Sequence, residues 1–458
     1  MDSMTALDAS FLYMEDETQP MHIAVLATFE GPPPAAGEIE EMLSAKLHRV
    51  PRYRQKLQFV PYGLGRPVWR DDERFDLAYH VRRTAIPKPG TRAQLDTLMG
   101  RVVSQGLDPA RPLWELWIVE GLDDGRWALI SKVHHCMVDG VGGVGILATL
   151  LDTEPEGEML PAVPWEPEAK PSGWSLARDA VRDGLTRPRD GLKLFQAAMT
   201  RPVRSLYRLA EFADGLSALR DLADDPVESC LNGPIGGSRR WHSAEIALSD
   251  IDKIRTAHGG TVNDVVLTAV TAAFRRLLVA RGEATDGLFV RSLVPVSIRD
   301  EALHGALHNR VATMFVDLPM TPTDPLERFE AVRRAATHAK EHHQAEATSA
   351  PLDALTEFTP PLLLSAAARM LRHLDQHAVQ TVTTNVPGPR RPLYAAGRRM
   401  IAAHPFVPIF GSVRTGIAVF SYAGRVGFGV TADYEKVRDA HLLTDGIEAE
   451  IEAPLARC

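Results

Sequence analysis

Trp127-Ala-Leu-Ile-Ser-Lys-Val-His134-His135-Cys136-Met137-Val138-Asp139-Gly140-Val-Gly142-Gly143-Val-Gly145 is the stretch on which the rest of the chain depends. Its Trp-led, alternating and β-branched start predicts a strand. Two histidines close that strand, and an aspartate lies four residues after the second. A Gly-rich turn then opens the apolar run Ile146 to Leu151, which predicts a helix. Chemistry is expected at this strand-to-helix junction.

Four readings of the junction compete. Gly140 to Gly145 matches GxGxxG, but a dinucleotide site needs its first Gly directly after the strand and a second strand ending in an acid about 20 residues on. Here seven residues, His134 to Gly140 inclusive, intervene after Val133, and the helix runs into a Pro/Glu-rich segment. The glycines instead supply a tight turn, close helix packing and backbone N–H groups at a helix N-terminus. A metal site is disfavoured because adjacent residues at a strand end point to opposite faces, whereas helical HExxH presents its two histidines on one. A purely structural His pair stays open. So does acid–base work, in which one imidazole nitrogen is locked by a backbone bond, the other accepts a proton from a hydroxyl, thiol or amine, and Asp139 fixes the loop or a nearby cation. No GxSxG elbow occurs and Cys136 falls on the alternate face, so direct transfer is favoured over a covalent enzyme intermediate.

The 458 residues exceed what one core usually supports, so two domains are the default. A chain that is 45% hydrophobic and 24% charged is globular, which excludes general disorder. The net charge of −8 gives no global attraction to nucleic acid or anionic lipid. Three distant cysteines, Cys136, Cys230 and Cys458, argue against a disulfide framework and for a reducing compartment, with no zinc spacing. The acid-bearing N-terminus lacks a signal-peptide pattern, and no run of 18 apolar residues predicts a membrane span. A soluble or peripheral protein is expected.

Along the chain, Met21 to Glu30 predicts a strand and Gly37 to about Arg49 a helix. Thr91 to Gly106 predicts a second helix. Leu113 to Glu120 and the strand from Trp127, joined through Asp123-Asp124-Gly125, predict a hairpin. Glu154 to about Pro171 has linker composition. Residues 175–222 predict helix, and 178–208 hold eight Arg/Lys (178, 182, 187, 189, 193, 201, 204, 208) against three Asp, either a solvated face or a contact for anionic lipid or a phosphorylated substrate. From about Arg240 a second pattern begins: helix Thr261 to Ala280, strand Leu288 to Ile298, strand Val311 to Leu318 and helix Asp324 to about Ala345. It continues with an amphipathic helix Pro361 to Leu374, a strand Ala378 to Thr383 leading into Thr384-Asn385-Val-Pro-Gly-Pro389, and strands Thr415 to Tyr422 and Arg425 to Asp433. Helices and strands mix without strict alternation, giving an α/β (α+β) class with mixed sheets. The predicted division is 1–153, a Pro/Glu-rich then helical linker over 154–238, and 239–458.

His134-His135-Cys-Met-Val-Asp139-Gly140 resembles the HHxxxDG signature of the CoA-dependent acyltransferase superfamily. Leu7-Asp8-Ala-Ser-Phe11-Leu, Pro20-Met-His22-Ile, Arg111-Pro-Leu-Trp114-Glu, Asn263-Asp264-Val-Val, Leu293-Val-Pro-Val-Ser297-Ile-Arg299, Thr384-Asn385-Val-Pro-Gly-Pro389 and Gly416-Ile-Ala-Val-Phe-Ser421-Tyr422 narrow it. Together they are similar to bacterial wax ester synthase/diacylglycerol acyltransferases, in particular the actinobacterial triacylglycerol synthase branch. The resemblance implies two chloramphenicol-acetyltransferase-like domains with a helical linker and a tunnel at their interface. It implies an O-acyltransferase moving a long-chain acyl group from acyl-CoA, a co-substrate with no further cofactor, to diacylglycerol or a fatty alcohol. It makes His135 the general base beside His134, and Asp139 a structural group in an ion pair with Arg299 as candidate partner. Gly140, Asn263, Thr384 and Asn385 become substrate-side or oxyanion candidates, against turn and cap roles for the last three. A cytoplasmic protein, peripheral on the inner membrane face or on lipid droplets and without nucleic acid, follows, with 361–374 and 178–208 as contact candidates. The alternatives are a non-catalytic acyl- or lipid-binding homologue and a condensation-type transferase with another acceptor.

Overall fold

A computed structural model describes residues 3–137, 149–157, 163–168, 174–176, 178, 182, 230–298, 310–347, 365 and 377–455. In chain order the elements are α1 (Ala6–Met14), β1 (His22–Phe29), α2 (Glu38–Lys46), β2 (Gln55–Gln58), β3 (Val68–Asp71), α3 (Leu77–His80), β4 (Val81–Ala85), α4 (Arg92–Ser104), β5 (Trp114–Glu120) and β6 (Trp127–His134). There follow β7 (Arg239–Ala247), α5 (Leu248–His258), α6 (Val262–Ala280), β8 (Phe289–Ile298), β9 (Arg310–Pro319) and α7 (Pro325–Ala347). The chain closes with β10 (Thr381–Pro387), β11 (Tyr394–Ala395), β12 (Arg398–Phe406), β13 (Thr415–Tyr422), β14 (Arg425–Asp433) and α8 (His441–Leu455).

These elements form two mixed six-stranded sheets, ordered β11-β12-β1-β6-β5-β4 and β7-β14-β13-β10-β8-β9, as the α/β class with mixed sheets requires. The strand carrying the histidines is central: β6 pairs antiparallel with β1 and with β5, and all eight of its residues are buried. Period-two alternation explains that complete burial. Trp127, Leu129 and Val133 enter one core with Phe29 and Tyr53, while Ala128 and Ile130 enter another with Leu95, Met99 and Val103 of α4. The predicted β5–β6 hairpin is present, and Asp124 and Gly125 at its turn both hold positive φ, the conformation this dipeptide tolerates best.

Strand β12 crosses from the C-terminal part of the chain into the first sheet. It pairs antiparallel with β1, from Ala24 opposite Phe406 to Phe29 opposite Met400. Its other side lies against β14, where a Cβ added at Gly427 or Gly429 would collide with the carbonyl oxygen of Ala403 or Pro405. The absent side chains are what let the backbones meet. A second join lies between α4 and β7, where Ser104 Oγ accepts from Arg239 N–H at 2.8 Å and Ser243 Oγ donates to buried Asp96 at 2.8 Å.

Two helix starts carry capping boxes, Thr91/Gln94 on α4 and Thr261/Asp264 on α6. One predicted boundary is corrected: the strand expected over Ala378 to Thr383 runs from Thr381 to Pro387. Parallel pairing of Thr384 with Ala418 and Asn385 with Val419 continues the ladder, so these residues lie within a strand, which ends on the first proline of the Pro-Gly-Pro. The predicted helix over 361–374, apart from Ser365, and most of 175–222 lie outside the described residues. Within 154–238 the described piece around Trp165 docks on the first half of the chain, with the Arg54 guanidinium 5.1 Å from its ring and Phe75 edge-on to it. Among the described residues no helix is long and apolar enough to cross a membrane.

Candidate active site

The β6 ladder ends at His134, and His135–Met137 form a single 3-10 turn. Backbone bonds fix both histidines: His134 N–H donates to Leu113 O and His135 N–H to Met21 O, each at 2.9 Å. The two rings then take different roles. His134 is fully buried, and its Nδ1 accepts the Cys136 N–H at 3.1 Å. That nitrogen is therefore unprotonated, so in the neutral ring the proton sits on Nε2, 3.2 Å from Glu15 Oε2. The other oxygen of Glu15 accepts the Met21 N–H at 3.1 Å. Glu15 caps the C-terminus of α1, so one carboxylate ties this helix, the entry to β1 and the His134 ring together.

His135 carries the free ring. It stacks on Phe11 of α1 with centroids 3.9 Å apart and an interplanar angle of 24°. Its Nδ1 is buried and has no hydrogen-bond partner among the described residues. Burial first, and then neighbouring His134, push the imidazole down to about 4. At neutral pH the ring is thus uncharged and able to accept a proton. The backbone lock expected on the reactive imidazole is located on His134, because the 3-10 turn aims the Cys136 N–H at that ring. Cys136 is no competing nucleophile, since burial, with Asp8 and Glu15 nearby, pushes its thiol well above its ordinary range.

Asn263 and Asn385 come together from distant sequence. Asn385 Nδ2 donates to Asn263 Oδ1 at 3.2 Å, linking β10 to the first turn of α6. Thr261, rather than Asn263, caps that helix. Thr384, next along β10, faces the other side of the strand. Among the described residues no hydrogen bond joins this pair to His135. Asp139, Gly140 and Arg299 lie outside the described residues. No group of three or more His, Cys, Asp or Glu with metal-holding geometry occurs among the described residues, and both nitrogens of His134 are already engaged.

Sequence reasoning gave no role to Glu15 or Phe11. Phe11 falls in a quoted motif, but nothing local indicates that its ring meets a residue 124 positions away. Glu15 is 119 residues from His134, and a lone acid at a helix end reads as solvated.

Comparison with known proteins bears on this geometry. A family model described as the wax ester synthase/diacylglycerol acyltransferase catalytic domain matches residues 4–266, and its C-terminal domain counterpart matches 307–453. The "Probable diacyglycerol O-acyltransferase tgs1" of Mycobacterium tuberculosis is 37% identical over 450 residues, 98% of this chain and 94% of that protein. The solved wax ester synthase/diacylglycerol acyltransferase of Marinobacter aquaeolei superimposes with a TM-score of 0.67 at 25% identity, covering 99% of this chain and 100% of that one. A starter condensation domain of rhizomide synthetase shares the fold at a TM-score of 0.54 and 14% identity, over 99% and 92% of the two chains.

Proposed function

The chain belongs to the wax ester synthase/diacylglycerol acyltransferase family, and from that premise we propose that His135 is the general base of an acyl transfer from long-chain acyl-CoA to an alcohol. The enzyme is an acyltransferase acting on diacylglycerol or a related alcohol. The observation that carries the assignment is the neutral, desolvated ring of His135, held against Phe11 beside a His134 whose own nitrogens are both occupied.

In the proposed mechanism, His135 takes the hydroxyl proton as the alcohol oxygen attacks the thioester carbonyl. The tetrahedral intermediate collapses with cleavage of the C–S bond. The imidazolium returns its proton to the departing CoA thiolate, leaving ester, CoA thiol and neutral enzyme. Asp139 steadies the loop after the histidines, and Arg299 is its candidate partner. Asn263, Thr384, Asn385 and Gly140 are substrate-side groups, the joined Asn263–Asn385 amides being positioned to order the α6 end of the site. Residues 1–153 and 239–458 act as two units joined through 154–238, with β11 and β12 contributed by the second to the sheet of the first. Triacylglycerol is the favoured product and wax ester the second, made in the cytoplasm at the inner membrane face or a lipid droplet.

Purified chain given palmitoyl-CoA with diolein, hexadecanol or a short alcohol decides the acceptor. Turnover of diolein above hexadecanol supports triacylglycerol synthesis, whereas ester formation with neither lipid acceptor overturns the proposal.

A further inference from the structure

Pro20-Met21-His22-Ile23 has no part in the transfer as described, yet His22 sits on the rung of the sheet next to the reactive histidine. It opens β1 and pairs directly with His134, the last residue of β6. Past that rung the ladder continues through the bond from His135 N–H to Met21 O at 2.9 Å. Strand ends fray unless something ties them down. Here the backbone of His135 is held at such an end.

The His22 side chain supplies a tie. Its ring is fully buried, and Nε2 lies 2.9 Å from Val103 O in the last turn of α4. A carbonyl oxygen only accepts, so Nε2 carries the proton, and the buried Nδ1 has no hydrogen-bond partner among the described residues. The ring also stacks on Phe406 of β12, with centroids 5.6 Å apart. The nearby carbonyls of Val102 and Gln105 accept from Lys132 Nζ. Side chains of β1 and β6 thus satisfy carbonyls that a helix C-terminus leaves open.

The surroundings narrow what this position can hold. An apolar side chain would pack against Phe406 but leave Val103 O without its donor. A cation would donate, but into the field of Lys132 and Arg239. The carboxylates at hand, Glu115 and Glu15, lie on Lys132 and His134 instead, at 3.7 and 3.2 Å. Burial first, and then Lys132 and His134, hold the His22 imidazole well below its ordinary value, so it donates as a neutral ring. A neutral N–H donor is what fits, and the unpartnered Nδ1 is the cost of having it.

We propose that His22 is a positioning residue for the transfer: anchored on Val103 and Phe406, it holds Met21 so that the Met21 carbonyl keeps the His135 turn closed against water. Glu15 holds the same residue from its other side, through Met21 N–H at 3.1 Å. The proposal rests on His135 being the base.

The test compares His22→Phe, which keeps a ring against Phe406 and loses the donor, with His22→Gln, whose amide N–H can reach Val103. Both are assayed with palmitoyl-CoA and the preferred alcohol beside the parent chain and His135→Ala, below the melting midpoint of each. For His22→Phe, kcat is expected to fall about 10- to 100-fold with KM little changed. Its acid limb of kcat/KM is expected to move up from about 4 toward the ordinary histidine value of about 6.5, as water reaches the His135 ring. His22→Gln is expected to keep most of kcat and the parent's limb. A His22→Phe variant that melts lower yet keeps the parent's kcat and acid limb overturns the proposal, leaving His22 a cap on α4. A His22→Gln variant as impaired as His22→Phe overturns it as well, because the donor would then not be what matters. Should His22→Phe not fold, Phe406→Leu removes the facing ring while keeping the bond to Val103, and the same limb is expected to rise by a smaller amount; an unmoved limb there overturns the proposal. Activity retained by His135→Ala sinks the assignment of the base, whereas unaffected His22 variants beside an inactive His135→Ala sink the positioning role alone.

Discussion

At the scale of the residue, two neighbouring histidines are made unlike by what surrounds them. His134 is held through both nitrogens, by Cys136 N–H and Glu15, whereas His135 meets an aromatic face and keeps a buried nitrogen without a partner among the described residues. Because burial holds the His135 imidazole down to about 4, the ring stays neutral until the medium is well below an ordinary histidine's range. The acid limb of kcat/KM is therefore expected near pH 4, and a limb near 6.5, the ordinary histidine value, would show a solvated ring instead. Glu15 meets His134, so its part in the proposed transfer would be that of a positioning residue. Glu15→Gln is expected to lower kcat ~10- to 100-fold with KM little changed and to displace that acid limb. An unchanged pH profile with an unchanged kcat would leave the carboxylate a structural tie only.

At the scale of the element, legibility followed the range of the interactions. The β5–β6 hairpin was readable because Asp124-Gly125 chemistry and strand alternation act over a few residues. The β13–β14 pair, joined through Ala423-Gly424, was readable for the same reason, and its strand limits match the prediction at both ends. Thr384 and Asn385 were misread because a Pro-Gly-Pro turn signal is local, while the parallel ladder that extends β10 comes from β13, some 34 residues on. The passage of β12 into the first sheet left no mark of its own on β12. Its trace is on the partner, in Gly427 and Gly429, whose missing Cβ atoms admit the β12 carbonyls. Gly429→Ala is accordingly expected to cost ~3 kcal/mol or more, read as a lower denaturation midpoint, and a change under ~1 kcal/mol would mean that β12 can move away freely.

At the scale of the molecule, α/β class, two sheets and family were legible, because several motifs spread along the chain had to agree. The candidate site was legible only in part: the His pair was found, but the partners that separate its roles arrive from α1. Buried neutral histidines also govern the whole fold's response to acid. His135 is held down to about 4, His404 to about 3, and His22 well below its ordinary value, each mainly by burial. In each case the unfolded chain takes up the proton first, so stability is fully present above about 6.5 and is lost as pH falls through the folded values. Asp96, pushed up to about 6 by burial, opposes this between about 6 and its ordinary carboxyl range, where the folded state takes the proton first. His80 and His242 are lowered by burial as well, and Glu450 is raised as Asp96 is, so with five histidines against two carboxyls the melting temperature is expected to fall steadily below pH 6.5; a flat profile down to pH 4 would mean that these rings are hydrated in solution.

The most direct test of the account is the single substitution His135→Ala, assayed with palmitoyl-CoA and the preferred acceptor beside the parent chain at pH 7. A loss of about a thousandfold or more in kcat, with acyl-CoA affinity and melting temperature retained, is the predicted result. An alanine variant within about tenfold of the parent would contradict the assignment of His135 as the base.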